Sequence, residues 1–149
     1  MNITSSSSII KNNLNAEAMK ISELLQNFCY TSSDGNDITL NFKSLKILNK
    51  HLSNDYLLLQ LINNIDFILS KNELFNFHIN VKSISILDVD KNKEFIQKAS
   101  IVLKEKYPSK LDTCYIYEAP SMFNNIFKLI FAFVDKETQK KIKIVETSC

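Results

Sequence analysis

Apolar residues recur at two spacings along this chain, and the two spacings predict alternating helices and strands. Helical spacing joins Ile21, Leu24, Leu25 and Phe28, which predicts a helix over residues 15–28. The same spacing predicts further helices over residues 53–69, 92–106 and 121–134. Alternation of apolar and polar residues predicts a strand over residues 37–45. Strands are also predicted over residues 77–89, as one strand or as two short ones broken near Lys82, and over residues 113–118 and 141–146.

The order of these elements predicts the fold class. Strands that alternate with helices of a dozen or more residues are typical of an α/β domain, because a parallel sheet needs crossovers of that length. We therefore expect a mostly parallel β-sheet flanked by helices. Ahead of it, residues 1–14 are rich in Ser and Asn and predict a mobile tail, and residues 15–33 hold a helix and a turn. The main domain is expected over residues 34–149.

Composition removes several classes of function. The 149 residues include one glycine, Gly35, and two prolines, so neither G-x-G-x-x-G nor a Walker-type phosphate loop can be present. All 18 basic residues are lysine and the net charge is only +2, which argues against nucleic acid as a partner. The three cysteines form no C-x-x-C pair, and no signal peptide or bilayer-length apolar run occurs. We expect a reduced, cytoplasmic protein without a metal or other cofactor.

Little in the sequence points to catalysis. Neither His51 nor His78 lies beside a nucleophile motif, so no catalytic residue is assigned and no enzymatic activity is expected. Asp88 and Asp90 are expected at a strand end, where α/β sheets bind ligands, but Asp90 or Asn92 is more simply the cap of the next helix. The segment from Asp34 to Asp37 lacks the later ligands of a calcium loop and is interpreted as a turn.

The predicted helix over residues 121–134 is apolar around most of its circumference. Only Asn124, Asn125 and Lys128 supply a polar side. A helix of this kind either is buried on two sides in the core or lines an apolar ligand cavity, since such cavities are walled by hydrophobic and aromatic groups.

Residues 107–144 carry a set of motifs in a fixed order. They are Tyr107–Pro108, a strand with Tyr115–Ile116, Ala119–Pro120, an aromatic helix with Phe123, Phe127 and Phe133, and then Asp135, Thr138 and Lys141–Ile142. In this order and without gaps, the stretch resembles the CRAL-TRIO lipid-binding domain of phosphatidylinositol-transfer-like proteins. Residues 84–91 resemble, more loosely, that family's strand with an Asp before the next helix, and residues 34–42 its first strand.

The resemblance implies a non-enzymatic protein that binds a phospholipid such as phosphatidylinositol or another hydrophobic small molecule. It implies a cavity lined by Phe123, Phe127 and Ile130, with Leu111 and Cys114 near its rim. It also implies a headgroup site at Lys141, with Ser109 where inositol-binding members have a Glu, and Lys110 beside it. Because serine is uncharged, Ser109 cannot make the charge-assisted hydrogen bond to inositol that the Glu provides.

The resemblance further implies transfer between membranes by a cytoplasmic protein that contacts membrane surfaces transiently. The family's gate segment normally follows the last strand, so a C-terminally truncated domain is expected here. The alternative is a degenerate CRAL-TRIO-like module that binds no lipid and docks a protein partner or a second copy through its apolar helix. A regulatory domain like an anti-sigma-factor antagonist would need a phosphorylatable serine at a strand-to-helix turn, and no persuasive one is present.

Overall fold

The computed structural model describes the backbone of residues 3–146 and the side chains of residues 16–146. In chain order the helices are α1 Ile3–Phe28, α2 Phe42–Leu48, α3 Asn54–Leu69, α4 Ile86–Lys91, α5 Lys93–Glu105, α6 Phe123–Phe131 and α7 Lys136–Lys140. The strands are β1 Cys29–Thr31, β2 Asp37–Asn41, β3 Phe75–Asn80, β4 Leu111–Tyr117 and β5 Ile142–Ile144. Within the described part of the chain, no helix is both long and apolar enough to cross a membrane.

The strands form one sheet in the order β1-β2-β3-β4-β5. β1 is antiparallel to β2, and the pairs β2–β3, β3–β4 and β4–β5 are parallel. Each parallel pair is joined through two helices, as parallel crossovers require. The expected α/β class with a mostly parallel sheet is confirmed.

The sheet has one apolar and one polar face, because side chains alternate along each strand. The apolar face carries Ile38, Leu40, Phe75, Phe77, Cys114 and Ile116, and these residues form a single core cluster with side chains from α1 to α6. The opposite face carries half-buried side chains that are polar or tyrosine, among them Thr39, Asn76, His78, Tyr115 and Tyr117. The helices therefore cover the apolar face.

Helix α1 begins at Ile3, twelve residues before the predicted start at residue 15. The expected tail over residues 1–14 is thus helical from Ile3 onward, and residues 1–2 lie outside the described residues. No proline or glycine occurs before Gly35, so nothing in the sequence ends the helix upstream of residue 15. Its last turns pack Ile21, Leu24, Leu25 and Phe28 against the core, as the spacing predicted.

Two of the predicted strands are partly wrong. The strand expected over residues 37–45 ends at Asn41, whose side-chain Oδ1 accepts a hydrogen bond from Lys43 N at 3.1 Å and caps α2. The one expected over residues 77–89 ends at Asn80, and α4 follows. Residues 84–91, which the resemblance assigned to a strand, therefore lie mostly in a helix. A short apolar run fits both the helical and the strand period. In these two segments, hydrogen bonds from capping side chains favoured the helix.

Asp88 and Asp90 lie in α4 and not at the end of a strand. Ser85 accepts a hydrogen bond from Asp88 N at 3.2 Å, while the Asp88 carboxylate accepts one from Ser85 N at 3.0 Å, so the two residues form a capping box. Asn92 occupies the N-cap position of α5 but makes no capping bond. Its buried amide instead accepts from Asn49 at 2.8 Å and donates to Asp88 O at 2.7 Å.

Among the residues whose backbone is described, three that are not glycine adopt left-handed backbone conformations. Ser83, Ser109 and Glu118 have φ angles of 65°, 61° and 55°. All three lie in loops next to the central strands β3 and β4, where glycine is the usual solution because it has no Cβ penalty. In this chain, serine or glutamate occupies these positions, and the single glycine, Gly35, lies elsewhere.

Candidate functional site

An apolar cavity of about 160 Å³ lies between the apolar face of the sheet and the helices that cover it. Its floor comes from β2, β3, β4 and β5, through Leu40, Phe77, Ile79, Cys114, Ile116 and Ile142. Its walls come from α5 and α6, with contributions from α2, α3 and the loop before α4. The parallel sheet and its crossovers thus enclose the cavity on two sides.

All five residues expected to contact a lipid line this cavity: Leu111, Cys114, Phe123, Phe127 and Ile130. Leu111 and Cys114 lie three positions apart on β4 and still face the same side, because the register with β3 shifts between them: Phe75 pairs with Leu111 and Phe77 with Cys114. The three α6 residues lie four and three positions apart and share one face of that helix. The structure therefore brings the five side chains together, with Leu111, Cys114 and Phe123 buried and the other two half-buried.

The aromatic wall continues along α6. The rings of Phe123 and Phe127 have centroids 5.2 Å apart, and Phe127 meets Phe131 edge-on at 4.1 Å. The side chain of Gln139 in α7 donates to Phe131 O at 3.1 Å and to Val134 O at 2.7 Å. These two bonds, at and just beyond the C-terminal end of α6, tie α7 to α6.

The Asp135 and Thr138 positions of the motif have a capping role. The Asp135 carboxylate accepts hydrogen bonds from Thr138 Oγ1 at 2.6 Å and from Thr138 N at 3.4 Å. The hydroxyl of Thr138 holds the pKa of Asp135 below its usual range, despite partial burial. This pair fixes the start of α7, which leads directly to Lys141 and β5.

The walls of the cavity offer hydrocarbon contacts and no charge. Ser100 and Thr138 carry the hydroxyls among the lining side chains, and no lining residue is ionised at neutral pH. Burial raises the pKa of the Cys114 thiol to about 12, so the thiol stays protonated and unreactive. The chemistry of the site is that of a binding pocket for an apolar group.

Sequence reasoning missed the half of the cavity that comes from the earlier strands and from α5. Leu40, Phe77 and Ile79 lie on the inward side of β2 and β3, and Ile96 and Leu103 on the inward side of α5. Only the tertiary arrangement shows that these residues have a space between them.

The three predicted headgroup residues lie at the opposite end of β4 and β5 from the start of α6. Ser109 and Lys110 immediately precede β4 and are exposed, and half-buried Lys141 immediately precedes β5. Because Cys114 pairs with Ile142, Lys141 lies opposite Thr113, roughly 10 Å along the strand from Lys110. Among residues 16–146, neither lysine takes part in a salt bridge, and each precedes a residue that lines the cavity.

Tyr107 of the Tyr-Pro motif fastens this loop to α3. It is buried, and its hydroxyl donates to Asp66 Oδ1 at 2.5 Å. Burial and then the bond to Asp66 raise the pKa of Tyr107. The motif thus positions Ser109 and Lys110 relative to the helices without itself reaching the cavity.

The polar face of the sheet carries a hydrogen-bonded cluster around His78. Its Nε2 lies 2.8 Å from Asp37 Oδ1, and its Nδ1 lies 2.7 Å from the Tyr117 hydroxyl. The imidazole also stacks on Tyr115, with centroids 5.0 Å apart. Burial, followed by the nearby Tyr115 and Asp37, raises the pKa of Tyr117. The cluster joins β2, β3 and β4 and has no nucleophile in it.

Comparisons with known proteins agree with this geometry. A family model described as the CRAL/TRIO domain matches residues 38–149. Sec14 cytosolic factor of Schizosaccharomyces pombe is 31% identical over 67 residues, which make up 45% of this chain and 23% of that protein. The crystal structure of Sfh5 superposes with a TM-score of 0.68 at 20% identity, covering 80% of this chain and 47% of that one. The match to Sfh5 shows the fold, and this chain spans less than two thirds of either relative.

Proposed function

The chain belongs to the CRAL/TRIO domain family, and on that basis we propose that it binds a phospholipid and carries it between membranes. The acyl chain of the phospholipid lies in the cavity. Proteins of this family bind hydrophobic lipid ligands. One observation supports the proposal for this chain: the apolar cavity between the sheet and α6, whose lining includes the five residues expected to contact a lipid. Each methylene buried there contributes about 0.8 kcal/mol, so the acyl chain supplies most of the affinity.

The size of the cavity sets a condition on binding. Cavities of roughly 150 Å³ hold a molecule the size of benzene, and small-molecule sites usually exceed about 300 Å³. At about 160 Å³, the cavity has room for part of one acyl chain. Uptake of a longer part of the acyl chain requires a wall of the cavity to move outward. The wall formed by α6 and α7 is the one whose two helices are hydrogen-bonded to each other. We therefore assign to α6–α7 the opening movement.

The proposed headgroup site is the strand edge with Ser109, Lys110 and Lys141. Two lysines there attract the phosphate of an anionic phospholipid, while the apolar chain enters next to Leu111 and Ile142, which line the cavity. Ser109 offers a hydroxyl and no charge, so recognition of inositol itself is weaker than recognition of phosphate.

Lys141→Ala is expected to weaken binding of anionic phospholipid about tenfold or more and binding of diacylglycerol, a neutral lipid without a phosphate, little, because a hydrogen bond to a charged group is lost. The measurement is displacement of a fluorescent phospholipid by phosphatidylinositol and by diacylglycerol. Lys140→Ala is the matched control, since Lys140 is the exposed neighbour whose Nζ lies 3.5 Å from Glu137 Oε1. Equal losses for both lipids would reject the headgroup role of Lys141.

The proposal as a whole is tested by native mass spectrometry of the protein purified from cells without detergent. A bound species is expected whose released mass identifies a phospholipid or another hydrophobic molecule. A chain that is uniformly free of ligand, and that stays so after incubation with phospholipid vesicles, would favour the alternative of an interaction module without lipid.

A further inference from the structure

The mouth of the cavity lies between α5 and the segment formed by α6 and α7. Most of the lining side chains that come from the sheet are buried, whereas those on these two facing walls are half-buried. The half-buried lining residues include Ile96, Ala99 and Leu103 on α5, and Phe127, Ile130 and Val134 on the facing wall. A ligand therefore reaches the cavity through the slot between the two walls.

Helix α5 presents a polar stripe to this mouth. Its members recur at helical spacing and so share one side of the helix: Lys93, Gln97, Ser100 and Lys104. The Nζ atom of Lys93 lies 5.5 Å from the centroid of the Phe133 ring. At the other end of the stripe, the pKa of Asp135 is lowered by the Thr138 hydroxyl and, more weakly, by the charge of Lys104. Both ends of the stripe thus face the α6–α7 segment.

The lysines of the stripe are available to a ligand. The lysines on the other side of α5 and directly after it contact acids of α3, at 2.8 Å for Lys98–Asp55 and 3.7 Å for Lys106–Asp66. Among residues 16–146, neither Lys93 nor Lys104 takes part in a salt bridge.

The acids near the mouth do not offset these lysines. Glu94 and Glu105 lie on the side of α5 that carries Lys98 and faces α3. Glu137 is paired within α7. Asp135 is the acid that faces the mouth, and both of its carboxylate oxygens accept hydrogen bonds from the start of α7. A ligand group at the stripe therefore meets lysine and hydroxyl donors first.

The cavity has room for one short hydrocarbon chain. Its volume of about 160 Å³ is that of a cavity which holds a molecule the size of benzene, or about four methylenes, and leaves no space for a second chain. Ser100 both lines the cavity and belongs to the polar stripe, so the apolar interior ends where the stripe begins.

We propose that the cavity, with α6–α7 in the position seen here, binds an amphiphile that has one medium-length hydrocarbon chain and an anionic head. The chain lies in the cavity and the head lies at the mouth, where Ser100 donates a hydrogen bond and Lys104 supplies the opposite charge. These two residues are one helical turn apart, with Cβ atoms about 6 Å from each other, so one carboxylate or phosphate can contact both. Fatty acids and alkyl phosphates share this chemistry.

The length of the chain is tested by isothermal titration calorimetry with saturated fatty acids from butyrate to dodecanoate. Affinity is expected to rise roughly fourfold per methylene up to about octanoate and to change little beyond it, because further carbons stay outside the cavity. Dioctanoyl phosphatidic acid should bind no more tightly than octyl phosphate. A rise that continues to dodecanoate, or a gain from the second chain, would overturn the proposal.

The anionic head is tested by comparison with octanol, which should bind about tenfold more weakly than octanoate or octyl phosphate. The tighter of the two anions identifies the head as carboxylate or phosphate. Their advantage over octanol should shrink as salt is added. If octanol binds as tightly as both anions, no head site exists at the mouth.

Lys104→Gln locates the head. It is expected to weaken octanoate binding about tenfold and to leave octanol binding unchanged, which also shows that the cavity remains folded. Lys106→Gln is the matched control, because it removes the same charge two residues away on the side that faces α3. Equal losses for the two variants, or none for Lys104→Gln, would contradict the assignment.

The inference rests on the proposed function only in that both use the same cavity. If octanoate binds with these properties but native mass spectrometry never shows a phospholipid, the medium-chain ligand stands and the carrier function fails. If phospholipid is carried but octanoate binds no better than octanol, the carrier function stands and this inference is wrong.

Discussion

Phe28→Ala is expected to lower the free energy of unfolding by about 3–5 kcal/mol, as truncation of a buried aromatic ring does. Phe28 is 0% exposed, and its ring meets Phe95 edge-on with centroids 6.1 Å apart. Phe95 itself lines the cavity, so the ring of Phe28 supports the cavity wall from outside. Because a domain of this size has about 5–15 kcal/mol in total, this loss is a large fraction of its stability.

Urea unfolding measures this loss as a lower midpoint with an unchanged slope. Met19→Ala is the control on the same helix, since Met19 is 66% exposed, and its effect should stay within about 0.5 kcal/mol. Phe28 precedes the region that the family model matches. A cost below about 1 kcal/mol for Phe28→Ala would mean that α1 is an addition to the domain and not part of its core.

The elements that could be predicted from the sequence are those long enough for their apolar positions to show a single periodicity, that of a helix or that of a strand. Helix α5 and strand β4 have this property, and both lie within two residues of the predicted bounds. The run Ile84–Val89 is short, and its apolar positions 84, 86, 87 and 89 do not distinguish a strand from a helix. It forms α4 because the side chains of Ser85 and Asp88 cap a helix there, and hydrogen bonds of this kind compete with sheet pairing.

The residues of the candidate site likewise fall into those that could be predicted from the sequence and those that could not. The stripe of Phe123, Phe127 and Ile130 could be found from helical spacing together with the family resemblance. Leu40 and Ile96 could not, because they are 56 residues apart and become neighbours of one space only when the sheet and α5 are assembled. Exposure is likewise a tertiary property. Ile86 and Leu87 follow the same apolar pattern as buried Ile84 and Val89, and only the fold shows which pair faces outward.

Ala99→Phe is expected to weaken lipid binding by roughly two hundredfold without loss of stability. Ala99 lies on α5 and lines the cavity, and a cavity of about 160 Å³ accepts a phenyl ring. The ring fills the space that the acyl chain would occupy. Exclusion of about four methylenes, at about 0.8 kcal/mol each, corresponds to roughly two-hundredfold weaker binding. Filling an existing void also adds contacts, so the midpoint of urea unfolding should not fall.

The size-matched control is Ala132→Phe, at the exposed C-cap of α6 and outside the cavity lining. Titration with a fluorescent phospholipid should give parent-like affinity for Ala132→Phe and roughly two-hundredfold weaker binding for Ala99→Phe. Native mass spectra should show ligand mainly on Ala132→Phe. If Ala99→Phe kept the affinity of the parent chain while folding normally, the acyl chain would bind outside this cavity. The site would then have to be sought on the polar face of the sheet, around His78 and Tyr117.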